Sequence, residues 1–218
     1  IVPLMDELTR PAGLRGRQLS QSKCAPLFGI ARGHDAREDA DCARYQEALL
    51  DLLSAPNSLK TIVLAGAWAR YQSSVTVNRI GERIGLGKEG ESVTFAEAAR
   101  HTVKLLRDKG FEVIVFGQLP VLPRFSIRCY AEAAGGTRPI GQCVTPLSSI
   151  LDNQGTFETS LAALPQEFPG VRYVSLIKTI CDAETCNGLK DGVFLYRNAG
   201  HLSGAGSRHL ARYLDLKP

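Results

Sequence analysis

Long apolar runs are missing from this 218-residue sequence. The longest, Thr61 to Ala69 (TIVLAGAWA), is about half of what crosses a bilayer, so no transmembrane helix is expected. A signal peptide is missing too. Ile1 rather than methionine opens the chain, and Met5 is its single methionine, so the true start is expected upstream. No stripe of lysine and arginine is interleaved with aromatics, and the net charge is only +4, which argues against nucleic acid as a partner. Internal repeats and low-complexity tracts are also lacking. What remains is an ordinary globular composition: 44% hydrophobic and 22% charged residues, enough for one sizeable core.

Zinc-type cysteine spacing is lacking as well. Of the six cysteines (Cys24, Cys42, Cys129, Cys143, Cys181 and Cys186), none forms a Cys-x-x-Cys, and four have no local partner at zinc-site distance. An even number at wide spacing favours disulfides over metal, although free buried thiols in a cytosolic protein are the alternative. Six cysteines allow about fifteen connectivities. Sequence neighbours suggest 24–42, 129–143 and 181–186. Disulfides would put the chain in the periplasm or outside the cell. No metal and no cofactor is expected.

Helices and apolar strands alternate along the chain. Residues 1–11 read as an amphipathic helix, and 15–20 (RGRQLS) as a short strand. Residues 39–54 form a helix with Cys42, Tyr45, Leu49, Leu52 and Leu53 on one face. Residues 59–66 and 111–117 (FEVIVFG) read as buried parallel strands. Segment 70–92 is polar, glycine-rich and without a clear assignment. Thr94 and Glu97 make a capping box for a helix ended by Gly110. Region 118–150 reads as a functional or stapled loop. A helix around 156–164, strands at 171–176 and 192–197, and a last helix near 204–214 capped by Ser203 complete the pattern. This alternation predicts one domain, 1–218, with a three-layer α/β/α sandwich and a parallel sheet. Sites in such sheets lie beyond the C-terminal strand ends. Three loops qualify: those after Ser20 and Gly66, and the one holding His201.

The chain has only four histidines, His34, His101, His201 and His209. His34 sits in a charged loop, His101 in a helix as a solvated side chain, and His209 inside the last helix. His201 alone lies at a loop–helix junction among small residues, where an imidazole can reach a cleft. Capping or packing is the plainer role for it.

The pattern Leu195-Tyr-Arg-x-x-x-His201-Leu-Ser203-x-x-Gly206 resembles the last block of SGNH hydrolases. More narrowly, it is similar to the SGNH domain fused to membrane acyltransferase-3 proteins. Cys24-Ala-Pro-Leu-Phe-Gly resembles that family's Cys-Pro-Pro-Leu segment, and Cys42-x-x-Tyr45-x-x-x-Leu49-Leu50 the helix after it. Ile62-Val-Leu-Ala-Gly66-Ala-Trp68-Ala-x-Tyr71 resembles its strand ending in Trp-Ala-x-Tyr. Pro120-Val-x-Pro123 and Cys181-x4-Cys186 fit as well, and the matches run in order along nearly the whole chain. The resemblance implies an SGNH/flavodoxin-like sandwich. It also implies transfer of an acyl group, usually acetyl, through a serine acyl-enzyme to a surface glycan. His201 would be the base. Gly66, Trp68 and Ser22 would belong to the oxyanion and site wall, with mostly backbone donors. For Trp68, a core or cleft-wall aromatic stands level with glycan stacking.

The chain departs from the family pattern in two places. It contains no Gly-Asp-Ser, so the first strand and its nucleophilic serine are expected before Ile1, with Ser20 and Ser22 as weaker candidates. The family's Asp-x-x-His is here Asn198-x-x-His201. In serine proteases an aspartate-to-asparagine change at the orienting position costs about 10⁴ in kcat, largely through the wrong tautomer. Asn198 therefore implies a weak enzyme, a Ser–His dyad or lost chemistry, with Asp182 and Asp191 as nearby substitutes. One reading is an O-acyltransferase domain on the outer or periplasmic side of a bacterial membrane. It would receive its acyl donor from a membrane acyltransferase domain and serve a glycan acceptor. The other is an inactive glycan-binding or interaction domain of the same fold.

Overall fold

The computed structural model describes residues 2–32, 35–71 and 75–214. Along the chain run α1 (Val2–Thr9), β1 (Ile30–Ala31), α2 (Ala36–Ser54), β2 (Thr61–Leu64), β3 (Val75–Val77), α3 (Arg79–Arg83) and β4 (Ser92–Val93). Next come α4 (Phe95–Asp108), β5 (Glu112–Phe116), α5 (Ile127–Ala134), β6 (Thr145–Pro146), α6 (Leu147–Glu167), β7 (Val171–Val174) and α7 (Leu176–Ile180). The C-terminal part holds β8 (Thr185–Cys186), β9 (Leu189–Lys190), β10 (Val193–Phe194), β11 (Tyr196–Asn198), β12 (His201–Leu202) and α8 (Gly204–Ala211). The chain divides into a sheet unit, Leu19–Gln118 with Thr156–Val174, and a hairpin unit, Ile1–Gln18 with Leu119–Gly155 and Ser175–Pro218.

In the sheet unit β2, β5 and β7 are parallel, with β5 central. Val113 and Val115 join the main core, while Ile114 and Phe116 are equally buried on the other face. A strand covered on both faces reads as the continuous apolar run seen in the sequence. The outer strand β2 is less buried than its composition suggests, with only Leu64 fully enclosed. The Thr94–Glu97 capping box is formed, and Gly110 turns the chain at φ 86° after α4. Segment 70–92, unassigned from sequence, contributes β3, α3 and β4. β3 pairs antiparallel with both β1 and β4.

Two expectations fail here. Residues 15–20 form no strand and are exposed, because a polar run with no partner strand has nothing to pair with. The buried face of α2 is Cys42, Ala43, Gln46, Leu50 and Leu53, while Leu52 is exposed and Tyr45 and Leu49 are half-buried. Gln46 sets that face. Its Nε2 donates to the carbonyls of Leu27 (3.0 Å) and Ile30 (3.1 Å), and its Oε1 accepts the Gly29 N–H (2.9 Å) and Asn78 Nδ2 (3.1 Å). A buried amide with its donors and acceptors satisfied is a stable core member, although hydropathy cannot reveal it.

In the hairpin unit α1 packs on α8 with Leu4 fully enclosed. Two-stranded antiparallel pairs β6–β8, β9–β10 and β11–β12 fill the rest. Phe125, Tyr130, Phe194 and Tyr196 form an aromatic cluster within this unit. Region 118–150 is stapled as expected, though it also carries α5 and the start of α6. All three suggested disulfides are present: Cys24–Cys42, Cys129–Cys143 and Cys181–Cys186.

Candidate active site

The Asn198-x-x-His201 spacing is a two-residue hairpin. Asn198 and His201 are antiparallel partners across the Ala199-Gly200 turn. The hairpin unit holds this turn on several sides. The Leu122 N–H donates to the Ala199 carbonyl (2.7 Å), and the buried Tyr196 donates its hydroxyl to the Pro120 carbonyl (2.8 Å). Ser203 donates its hydroxyl to the Phe194 carbonyl (2.9 Å) and caps α8 by accepting the Gly206 N–H (2.8 Å). Gly206 is required there, since a Cβ would strike the Leu195 backbone. His201 is thus an exposed imidazole fixed between a hairpin and a capped helix.

The asparagine makes a specific contact. His201 Nδ1 lies 2.9 Å from Asn198 Oδ1, and the same oxygen accepts the Gly200 N–H at 3.2 Å. A backbone N–H can only donate, so the amide atom facing it must be the oxygen. That oxygen can only accept from the imidazole. Nδ1 therefore carries the proton, and Nε2 presents its lone pair, the tautomer a general base needs. Where an asparagine instead turns its NH₂ toward the imidazole, the wrong tautomer results. Here the Gly200 N–H selects the useful one. The amide still lacks the charge that would stabilise an imidazolium. Nε2 makes no hydrogen bond among the described residues.

The nearby aspartates are engaged elsewhere. Asp191 pairs with the buried His209 (3.0 Å) and with the Tyr213 hydroxyl. Asp182 accepts the N–H groups of Thr185 (2.7 Å) and Glu184 (2.9 Å), which hold its carboxyl below the usual range. His101, expected in solvent, is half-buried. Its Nδ1 is enclosed without a partner among the described residues, and burial pushes its pKa down. His34 lies outside the described residues.

The sheet unit organises Gly66 and Trp68 separately. A Cβ on Gly66 would come within 3.0 Å of the Pro26 ring, so glycine permits that close approach. Trp68 is 0% exposed, donates Nε1–H to the Phe116 carbonyl (2.7 Å) and packs edge-on against Phe95. An enclosed ring has no face for a sugar, so its core role prevails over stacking. Ser22 sits in an exposed turn before Cys24.

Sequence reasoning missed a buried polar relay at the strand ends of this unit. Glu158 Oε1 accepts the Gln118 N–H (2.8 Å), and Gln118 Oε1 accepts the Ala69 N–H (2.7 Å). The Tyr173 hydroxyl donates to the other carboxyl oxygen. Burial raises the Glu158 pKa, opposed by the bonds from Tyr173 and Gln118. The relay ties the loop after β2 to the loop after β5, where parallel sheets place ligands. Its one sequence signal is a glutamate beside Phe157 and Leu161 on the buried face of α6, one turn after Gln154.

The family described as SGNH domain (fused to AT3 domains) matches residues 1–215. No curated protein matches the chain. Among solved structures, the lipopolysaccharide acetyltransferase periplasmic domain of Salmonella ser. Paratyphi A is similar, with a TM-score of 0.61 and 16% sequence identity. The alignment covers 97% of this chain and 76% of that one. At that identity the likeness concerns the fold, a mixed α/β structure with a helix-flanked parallel sheet.

Proposed function

This chain belongs to the SGNH domains fused to AT3 domains, and from that membership we propose that it transfers an O-acyl group, usually acetyl, to a cell-surface glycan. The similar Salmonella domain, itself from a lipopolysaccharide acetyltransferase, supports that direction. In this reading the AT3 partner is a membrane acyltransferase domain that delivers the acyl donor, and the present chain faces the periplasm or cell exterior. Three disulfides fit an oxidising compartment. No helix among the described residues is long and apolar enough to cross a membrane.

The proposed chemistry is a two-step exchange. A serine oxygen attacks the acyl carbonyl of the donor while His201 Nε2 takes its proton. The tetrahedral intermediate collapses, the donor leaves with that proton, and the acyl group stays on the serine. A sugar hydroxyl then attacks the acyl-serine. Nε2 accepts the hydroxyl proton and returns it to the departing serine oxygen. The serine is proposed in a Gly-Asp-Ser segment preceding Ile1, since the 218 residues contain no such motif. From the family pattern, backbone N–H groups around Gly66 and Trp68, and near Ser22, are the proposed oxyanion donors.

The observation that carries this reading is the Gly200 N–H···Oδ1 Asn198···Nδ1 His201 chain, which leaves Nε2 as a base despite the missing aspartate. The competing reading, a glycan-binding domain without chemistry, draws on the uncharged Asn198. Acetyl-ester hydrolysis by the protein with its upstream segment separates the two. The enzyme reading expects turnover that His201→Ala abolishes. Equal background rates in both forms would leave the binding domain.

A further inference from the structure

The hairpin unit contains a cavity of about 280 Å³ between α5 and the turn at 140–142. Three arginines, Arg124, Arg128 and Arg138, line it, against one carboxylate, Glu132. Glu132 takes Nε of Arg128 with one oxygen (2.7 Å) and Nε of Arg138 with the other (2.7 Å). Those two bonds orient both forks and consume few of their donors, since each guanidinium carries five N–H groups. The terminal nitrogens of Arg128 make no further bond among the described residues. Arg138 adds only a long contact of 3.4 Å to Gln142, and Arg124 makes none.

Two features separate this arrangement from scattered surface arginines. Its walls are fixed: the Cys129–Cys143 disulfide joins α5 to the 140–142 turn, and Thr137 bonds the Glu132 carbonyl through both its N–H and its hydroxyl (3.0 Å each). It also has an excess of donors, two of its three guanidinium groups being held by Glu132. Planar forks left with free N–H pairs match the two-oxygen edge of a carboxylate or phosphate.

The cavity also neighbours the His201 hairpin within the same unit. Arg124 lies two residues beyond Leu122, whose N–H holds the Ala199 carbonyl of the turn. Backbone dimensions then keep the Arg124 and His201 Cα atoms within about 22 Å, the span of a short oligosaccharide. We propose that this cavity is an oxyanion subsite that anchors a carboxylate or phosphate group borne by the acceptor glycan; the assignment to an acceptor rests on the acyl-transfer reading.

Calorimetric titration of the full-length protein with glucuronate, glucose 6-phosphate, inorganic phosphate and uncharged glucose tests it. Saturable binding of at least one sugar anion is expected, with none for glucose. Arg124→Gln combined with Arg138→Gln should weaken that binding at least tenfold while the melting temperature stays near wild type. Anion binding that survives in the double variant, or no binding of either sugar anion, would overturn the subsite. Binding of inorganic phosphate alone would reduce it to a free-anion site and overturn its acceptor role. His201→Ala keeps the two readings apart. Anion binding by that variant at wild-type strength supports the pocket whatever happens to ester turnover, and turnover that survives the substitution sinks only the catalytic reading.

Discussion

Asn198 and His201 are exposed and joined by one hydrogen bond across a hairpin turn, whereas Gln118 and Glu158 are buried and joined by a relay of backbone and side-chain bonds. The exposed pair uses a neutral amide next to an imidazole. The buried cluster uses a carboxyl, the group the hairpin lacks. The contrast follows from solvation. A single hydrogen bond in solvent fixes a tautomer at little cost. A buried carboxyl must be protonated or fully bonded, and once it is, it holds surrounding backbone firmly. In the proposed function the exposed pair serves proton transfer, while the buried cluster supplies rigidity.

Replacing each key side chain should expose that division. His201→Ala is expected to lower acetyl-ester turnover by at least about 10³-fold, in line with loss of a general base. Because the imidazole is exposed, its melting temperature should not move. A large drop in thermal stability would mean that His201 is a structural residue. In the buried cluster the expectation reverses. Glu158→Ala strands the buried Gln118 N–H, at a cost of about 1–3 kcal/mol of stability in chemical denaturation. An unchanged midpoint would remove the relay from the account.

Asn198→Asp sharpens the hairpin side. If the Gly200 N–H already selects the useful tautomer, an aspartate adds only charge stabilisation of the imidazolium. The expected gain in kcat is about ten- to a hundredfold, below the 10⁴ seen where asparagine imposes the wrong tautomer. A gain near 10⁴ would show that the amide does not orient the ring as its hydrogen bonds indicate, and no gain would separate residue 198 from the chemistry.

The two regions also differ in how far the sequence reveals them. Asn198-x-x-His201 is legible because a two-residue turn forces neighbours in sequence to be neighbours in space. The same locality explains why the Thr94–Glu97 box and the three disulfides follow from spacing, the widest of them 18 residues apart. β5 is legible because a strand covered on both faces must be continuously apolar. Gln46, Gln118 and Glu158 are not, because their polarity argues against burial until the groups that satisfy them are known. Hydropathy accordingly rotated the core face of α2 toward Leu49 and Leu52 and away from Gln46.

The smallest effect belongs to Glu158→Gln, and it tests the protonation of the relay. Burial raises the folded-state pKa of Glu158 above its ordinary value near 4.5. Between the ordinary and the raised value, the folded protein holds a proton that the unfolded chain has released. Stability must therefore fall as pH rises through that window, and level off above it. The exposed Glu97 and the half-buried Glu132 run the other way: hydrogen bonds from Thr94 and from Arg128 and Arg138 lower their pKa values, so their contribution is lost as pH falls. The wild-type curve mixes both signs, and only its difference from the variant isolates the buried group. Glutamine keeps an oxygen for the Gln118 N–H and cannot ionise. Relative to wild type, Glu158→Gln should gain stability on going from about pH 4 to pH 7, by less than the truncation costs. A parallel pair of denaturation curves across that range would show instead that Glu158 stays charged in the folded protein, held by Tyr173 and the Gln118 N–H strongly enough to cancel its burial.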